Sequence, residues 1–167
     1  MTGDGDAARL RARVDAYLRA HHTMTVATSA PAGNAPHAAH VFYAVGDGLR
    51  LVFLSQPGSI HGQHIGEQAA VAVTVSEEYV AWENIQGVQL WGRARRLRGA
   101  ARASALALYI SRFPFVRDLL RAPAHAAKTR GIGVYEVEPE RAAFTDNTSG
   151  VFGRELLELG DLTDTVP

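Results

Sequence analysis

Ile85-Gln-Gly-Val-Gln-Leu-Trp-Gly-Arg-Ala-Arg-Arg-Leu97 is the stretch that decides the fold. Val88, Leu90 and Ala94 fall on one side of an extended chain, and Gln89, Trp91 and Arg93 on the other. That period of two marks a long β-strand with one buried face. Gly87 and Gly92 lie inside it. A glycine within a strand predicts a bulge, a bend at a barrel corner, or close approach by a ligand.

Working outward, Ala69 to Val75 reads as a strand before it, and Ile132 to Val137, continued near Ala142 to Thr145, as one after it. Met24 to Thr28 is a short strand. Ala39 to Val45 and Leu49 to Leu54 flank Gly46-Asp47-Gly48 and read as a hairpin. Ala30 to Pro36 is a turn by composition. Leu10, Val14, Tyr17 and Leu18 recur at helical spacing and predict a helix over 6–21, with Asp6 as its cap. Ser59 is placed to cap a short helix through about Glu67. Leu106, Tyr109, Ile110 and Phe113 mark a helix over 100–113, stopped by Pro114, and Phe115 to Leu120 adds a short helical piece. Tight turns between neighbouring strands predict an antiparallel sheet. Six strands with too few helices for a doubly wound sheet predict a mainly β, α+β fold: a small barrel with flanking helices. We expect one domain over 1–159 and a flexible tail over 160–167.

The 167 residues suit one hydrophobic core, and 47% apolar composition suits a globular chain. Seventeen basic and seventeen acidic residues cancel, so no strong field attracts nucleic acid or an acidic membrane. With no cysteine, disulfides, thiolate chemistry and zinc sites with sulfur ligands are excluded. Arg9, Arg11, Arg13 and Arg19 interrupt any signal-peptide core, and no run is long enough for a membrane helix. A cytoplasmic location is the expectation.

Four segments could carry chemistry. Ser55-Gln-Pro-Gly-Ser59-Ile-His61-Gly-Gln63-His64 joins a strand end to a helix start, where free N–H groups, hydroxyls and an imidazolium attract phosphate. A plain cap with two surface histidines is the competing reading. His37-Ala38-Ala39-His40 lies on the second strand. Its histidines, three apart, face opposite sides and cannot share one metal, so no metal site is expected. The alanines would let a flat group approach the backbone. In the Gly87 to Gly92 strand, Gln89 can read an imide edge because its amide donates and accepts, and Trp91 shares its face. Phe144 to Gly153 sets polar turn residues between aromatics and alone reads as an Asx-rich turn; in a barrel dimer whose cleft takes residues from both chains, Asn147 would lie near the cleft opening. Alternatively, Asp146 and Asn147 cap a helix at Leu156-Leu157. Without a Gly-x-Ser-x-Gly or Walker motif, hydrolysis has little support.

These segments resemble the pyridoxamine-phosphate-oxidase-like FMN-binding split barrels, and within them the YhbP-type bacterial proteins. The resemblance rests on Gln68-Ala-Ala-Val-Ala with Thr74-Val75, and on Gly87-Val88-Gln89 with Gly92 and Arg95-Arg96-Leu97. It also rests on Arg112-Phe113-Pro114, Ala122-Pro123, and Phe144-Thr-Asp-Asn-Thr148 ahead of Phe152-Gly153. Together these span most of 36–153. The resemblance implies a six-stranded antiparallel Greek-key split-barrel homodimer with a flavin in each of two interface clefts. Ser55, Ser59 and His61 then hold the phosphate, and the backbone of His37 to His40 lies along the ring. Where the wider group usually has Lys or Arg, this chain has His61.

The leading expectation is therefore an FMN-binding oxidoreductase acting on a small molecule, its ring chemistry supplied by the cofactor. An F420-dependent reductase would use Arg93, Arg95 and Arg96 to line a basic groove. A non-catalytic flavin or haem module would draw axial ligands from His37, His40, His61 or His64. Trp82, Trp91 and Phe152 offer apolar area to a second copy.

Overall fold

Strand pairing closes a ring in the computed structural model, which describes residues 3–31, 35–150 and 153–160. The strands are β1 (Thr23–Ser29), β2 (Pro36–Val45), β3 (Leu51–Ser55), β4 (Gln68–Ser76), β5 (Gln86–Arg96) and β6 (Gly133–Asp146). Every pairing is antiparallel, in the cyclic order β1-β2-β3-β6-β5-β4. The six-stranded antiparallel barrel is thus the observed architecture, and Val26, Leu51, Phe53, Val73, Val88, Leu90 and Val137 fill its interior. Each fully buried apolar side chain of this size contributes roughly 1.5–3 kcal/mol.

As the sequence reading expected, Ile132 to Val137 continues into Ala142 to Thr145 as one strand, β6, which runs through Pro139. One detail differs. The Leu156-Leu157 segment is a seventh strand, β7 (Arg154–Glu158), not a helix. It pairs with Arg141–Thr145, the half of β6 that extends past the partner β3.

Gly92 explains how β6 can be so long. The β5–β6 register shifts between Trp91 and Gly92. A Cβ at Gly92 would lie 2.1 Å from the Glu138 carbonyl oxygen. Only glycine lets the two backbones approach this closely at the bulge. Of the three readings offered by the sequence, the bulge is the observed one.

Helix α1 (Gly3–Ala20) packs Leu10, Val14 and Leu18 onto the barrel interior cluster. Its Arg13 bonds Asp146 and Glu155, holding it to the ends of β6 and β7. On the outer surface, α3 (Gly99–Arg112) packs Ala105 and Tyr109, with Phe113, against Ala44, Val52 and Val134. After it come α4 (Phe115–Arg121) and α5 (Ala126–Thr129). Among the described residues, no helix is long and apolar enough to cross a membrane.

The barrel opens along one seam. β2 pairs with β3 only through Tyr43–Val45. The Pro36–Phe42 half has β1 on one side and, among the described residues, no strand on the other. Into this gap fits α2 (Ile60–Ile65), which touches β1, β2 and β4. The expected tail over 160–167 lies, beyond Gly160, outside the described residues.

Candidate functional site

At the seam, the end of β3 passes through Gln56-Pro57-Gly58 into α2. Ser59 caps that helix: its Oγ accepts from the Gly62 N–H at 3.1 Å and donates to the Gln56 carbonyl at 2.7 Å. His61 then turns inward. Its Nε2 lies 2.5 Å from Ser55 Oγ and 3.3 Å from Ser59 Oγ. The Ser59 proton is engaged by Gln56, and Ser55 Oγ lies within hydrogen-bond distance of both Ser59 Oγ, at 3.1 Å, and His61, the imidazole tautomer setting which of the pair donates.

The neighbours are also imidazoles. His37, from the open half of β2, stacks on His61 with centroids 5.9 Å apart and planes 5° apart. His64 meets His37 edge-on at 6.1 Å, and its Nδ1 lies 3.0 Å from Thr28 Oγ1. Thr28 and His61 are only 5% and 9% exposed. Burial, then the proximity of His37 and His64, lowers the His61 pKa below the ordinary imidazole value. Among the described residues, no cluster of histidines and acids has the arrangement of a metal centre.

A second buried group lies close by. Tyr135 stacks on Phe53, and Phe53 faces His61 at 6.4 Å between centroids. The Tyr135 ring folds back over Gly133, the residue paired with Ser55. Among the described residues its hydroxyl has no hydrogen-bond partner. The hydroxyls and imidazoles of the cluster, with no carboxylate hydrogen-bonded to them among the described residues, form a donor set suited to a phosphate group.

The outer face of the sheet is flat and built from small residues. Cross-strand pairing sets Ala38, Ala27, Ala72 and Trp91 in one row, and His40, Thr25, Thr74 and Gln89 in the next. Thr25, Ala27, Ala72, Thr74, Gln89 and Trp91 line a groove of about 150 Å³. The Arg141 and Arg154 guanidinium groups lie 4.7 and 5.9 Å from the Trp91 ring centre. Arg154 also donates to Gln89 Oε1 at 2.9 Å.

The sequence candidates therefore divide into groups. His37, Ser55, Ser59 and His61 come together. His40, as its spacing required, points the other way, its Nδ1 3.3 Å from Thr25 Oγ1. Ala38 is exposed on the outer face, while Ala39 packs on the core. Gln89 and Trp91 share the groove. Asn147 lines neither place. Its amide donates to the Trp82 carbonyl and its N–H to the Ile85 carbonyl, bracing the β4–β5 connection. Beside it, Asp146 caps the turn 147–149. Burial alone would raise its pKa, but bonds from Thr148, Gln86 and Arg13 hold it below the usual carboxylate value. Arg93 and Arg95, two of the three basic-groove candidates, are paired with Glu140 at 3.4 Å and Glu136 at 2.8 Å. Thr28, Tyr135, Arg141 and Arg154 were not singled out in the sequence. Only the strand register brings them to these places.

A closed six-stranded antiparallel barrel with flanking helices, split along one seam, defines the split-barrel class. The chain belongs to the pyridoxamine 5'-phosphate oxidase family, whose sequence profile matches residues 10–146. It is 39% identical over 119 residues to a UPF0306 protein of Klebsiella pneumoniae (strain 342), covering 71% of this chain and 73% of that one. To the UPF0306 protein YhbP of Escherichia coli O157:H7 it is 37% identical over 123 residues, 72% and 75% of the two chains. A heme binding protein from Mycobacterium smegmatis shares the fold with a TM-score of 0.63 at 19% identity, over 86% of this chain and 56% of that one. An FAD binding protein from the same organism shares it with a TM-score of 0.52 at 17% identity, over 86% and 91%.

Proposed function

We propose that this chain is an FMN-binding flavoprotein, working as a homodimer and exchanging electrons with a small molecule. The observation that carries the reading is the Ser55–Ser59–His61 pocket, with His37 and His64 around it and no carboxylate bonded to it among the described residues. It offers the donors that a phosphate monoester needs. Next to it, the open edge of β2 over Pro36–Phe42 has backbone groups with no strand partner among the described residues. Such an edge can bond a planar heterocycle along its rim. Gln89, whose Oε1 accepts from Arg154, has an amide N–H₂ with no partner among the described residues and able to meet a polar ring edge, and Ala38 and Ala27 leave room for a flat group.

A bound flavin supplies hydride or electron transfer at its ring. The chain's own residues hold the phosphate, align the ring with β2 and exclude water on the buried side. The small-residue outer face is where a second copy would complete the cleft. Trp91, with Arg141 and Arg154 against it, then borders the substrate space.

The histidine-rich pocket and the heme binding neighbour favour haem as the second reading. Reconstituting the purified protein with FMN and, separately, with haem distinguishes them. The flavin reading expects a stoichiometric flavin spectrum with quenched fluorescence. A stoichiometric haem band with no flavin retained would overturn it.

A further inference from the structure

Three imidazoles converge at the seam, and among the described residues no fixed charge is bonded to them. Every element packed against His61 bears this out. β1 offers the neutral hydroxyl of Thr28, and β3 that of Ser55. β2 offers His37, with His40 on its opposite face. α2 itself adds His64. β4, Gln68–Ser76, carries no ionisable side chain, and β6 presents the Tyr135 phenol. On β5, Arg93 and Arg95 are engaged by Glu140 and Glu136, and Arg96 lies on the Tyr135 side together with Glu67. Glu67, just past α2, is held by Arg98 at 2.5 Å. No hydrogen bond or ion pair among the described residues joins His37, His61 or His64 to a carboxylate, a lysine or an arginine.

Such a pocket has two electrostatic states. When it is empty, an imidazolium at His61 is opposed by burial and by any charge on the two neighbouring rings. When a divalent oxyanion is present, the same rings become its counter-charge. We propose that the pocket takes up a phosphate-type dianion together with protons, His61 and one of its two histidine neighbours becoming imidazolium as the anion enters. Proton activity then does what a fixed lysine or arginine would otherwise do. The inference rests on the pocket being the flavin phosphate anchor and adds its regulation. The sign follows from linkage. The anion raises the imidazole pKa values above those of the empty pocket, so between the two sets of values affinity falls as pH rises. Each proton taken up contributes about a tenfold loss of affinity per pH unit between the two sets of values.

Sulfate is the probe, because it stays a dianion across this range while phosphate itself titrates. Calorimetric titration of the full chain, in two buffers of different ionisation heat, counts the protons. The expected result is between one and two protons bound per sulfate near pH 6.5, with affinity falling at least tenfold from pH 6 to pH 8. His61→Lys should keep sulfate binding at pH 8 and flatten the pH dependence, and His64→Asn should lower the proton count. Sulfate binding without proton uptake, or no sulfate binding at any pH, overturns the proposal. If His61→Lys does not melt cooperatively, the wild-type proton count alone decides. A parallel FMN titration separates this proposal from the flavin reading. FMN affinity that ignores pH sinks the proton linkage and leaves the flavin reading. Proton-linked sulfate with no FMN binding does the opposite.

Discussion

Tyr135 is the residue at which stability and function pull apart. Its hydroxyl is buried and has no partner among the described residues, a situation that costs about 1–3 kcal/mol. Tyr135→Phe should therefore leave the ligand-free protein at least as stable, by up to about 1 kcal/mol. For a chain of this size that is a rise of roughly 2–4 °C in melting temperature. A clear drop in a thermal melt would show that the hydroxyl is bonded in solution. At this scale the sequence revealed part of the site. Ser55, Ser59 and His61 lie within seven residues of chain, so their convergence follows from a strand end meeting a capped helix. His37 comes from another strand, and Thr28 reaches His64 only because Thr28 pairs with His37. No local pattern encodes a cross-strand register, which is why Thr28 and Tyr135 went unread.

At the scale of the element, the bulge opposite Gly92 makes a testable claim. Gly92→Ala would drive a Cβ into the Glu138 carbonyl and the Pro139 Cα, 2.1 and 2.8 Å away. Both atoms are backbone and neither can swing aside. The expected cost is on the order of 3 kcal/mol in a denaturant titration. A loss below about 1 kcal/mol would mean that the two strands do not approach in this way. The strands that alternate cleanly, β4 and β5, were legible because every second side chain is buried. β6 was legible across Pro139-Glu-Arg141 because apolar residues resume at Ala142. β7 was read as a possible helix because Leu157 is its one buried residue among the described ones. A single buried position sets no period.

On the whole-molecule scale, the barrel leaves much of one face uncovered. The Ala38–Ala27–Ala72–Trp91 row lies on it. Elsewhere on the surface Phe42 and Trp82 are 47% and 49% exposed. Faces of this kind in small proteins are commonly interaction surfaces. Light scattering at micromolar concentration should give twice the chain mass, and Ala27→Arg with Ala72→Arg should shift it toward one. A monomeric wild-type protein would contradict the homodimer and, with it, the two-chain cleft. The six-strand barrel was readable from alternation and turns alone. The seam was not, because it depends on where β2 stops pairing with β3.

The central claim is that the Ser55–His61 pocket anchors the phosphate of a flavin. Paired fluorescence titrations of the apo-protein with FMN and with riboflavin at pH 6.5 test it most directly, since the two ligands differ only in that group. Charge-assisted hydrogen bonds contribute about 1.5–3 kcal/mol each, so FMN should bind at least tenfold more tightly than riboflavin. The Ser55→Ala variant should erase most of that difference. Equal affinity for the two ligands, or no affinity for either, would contradict the account.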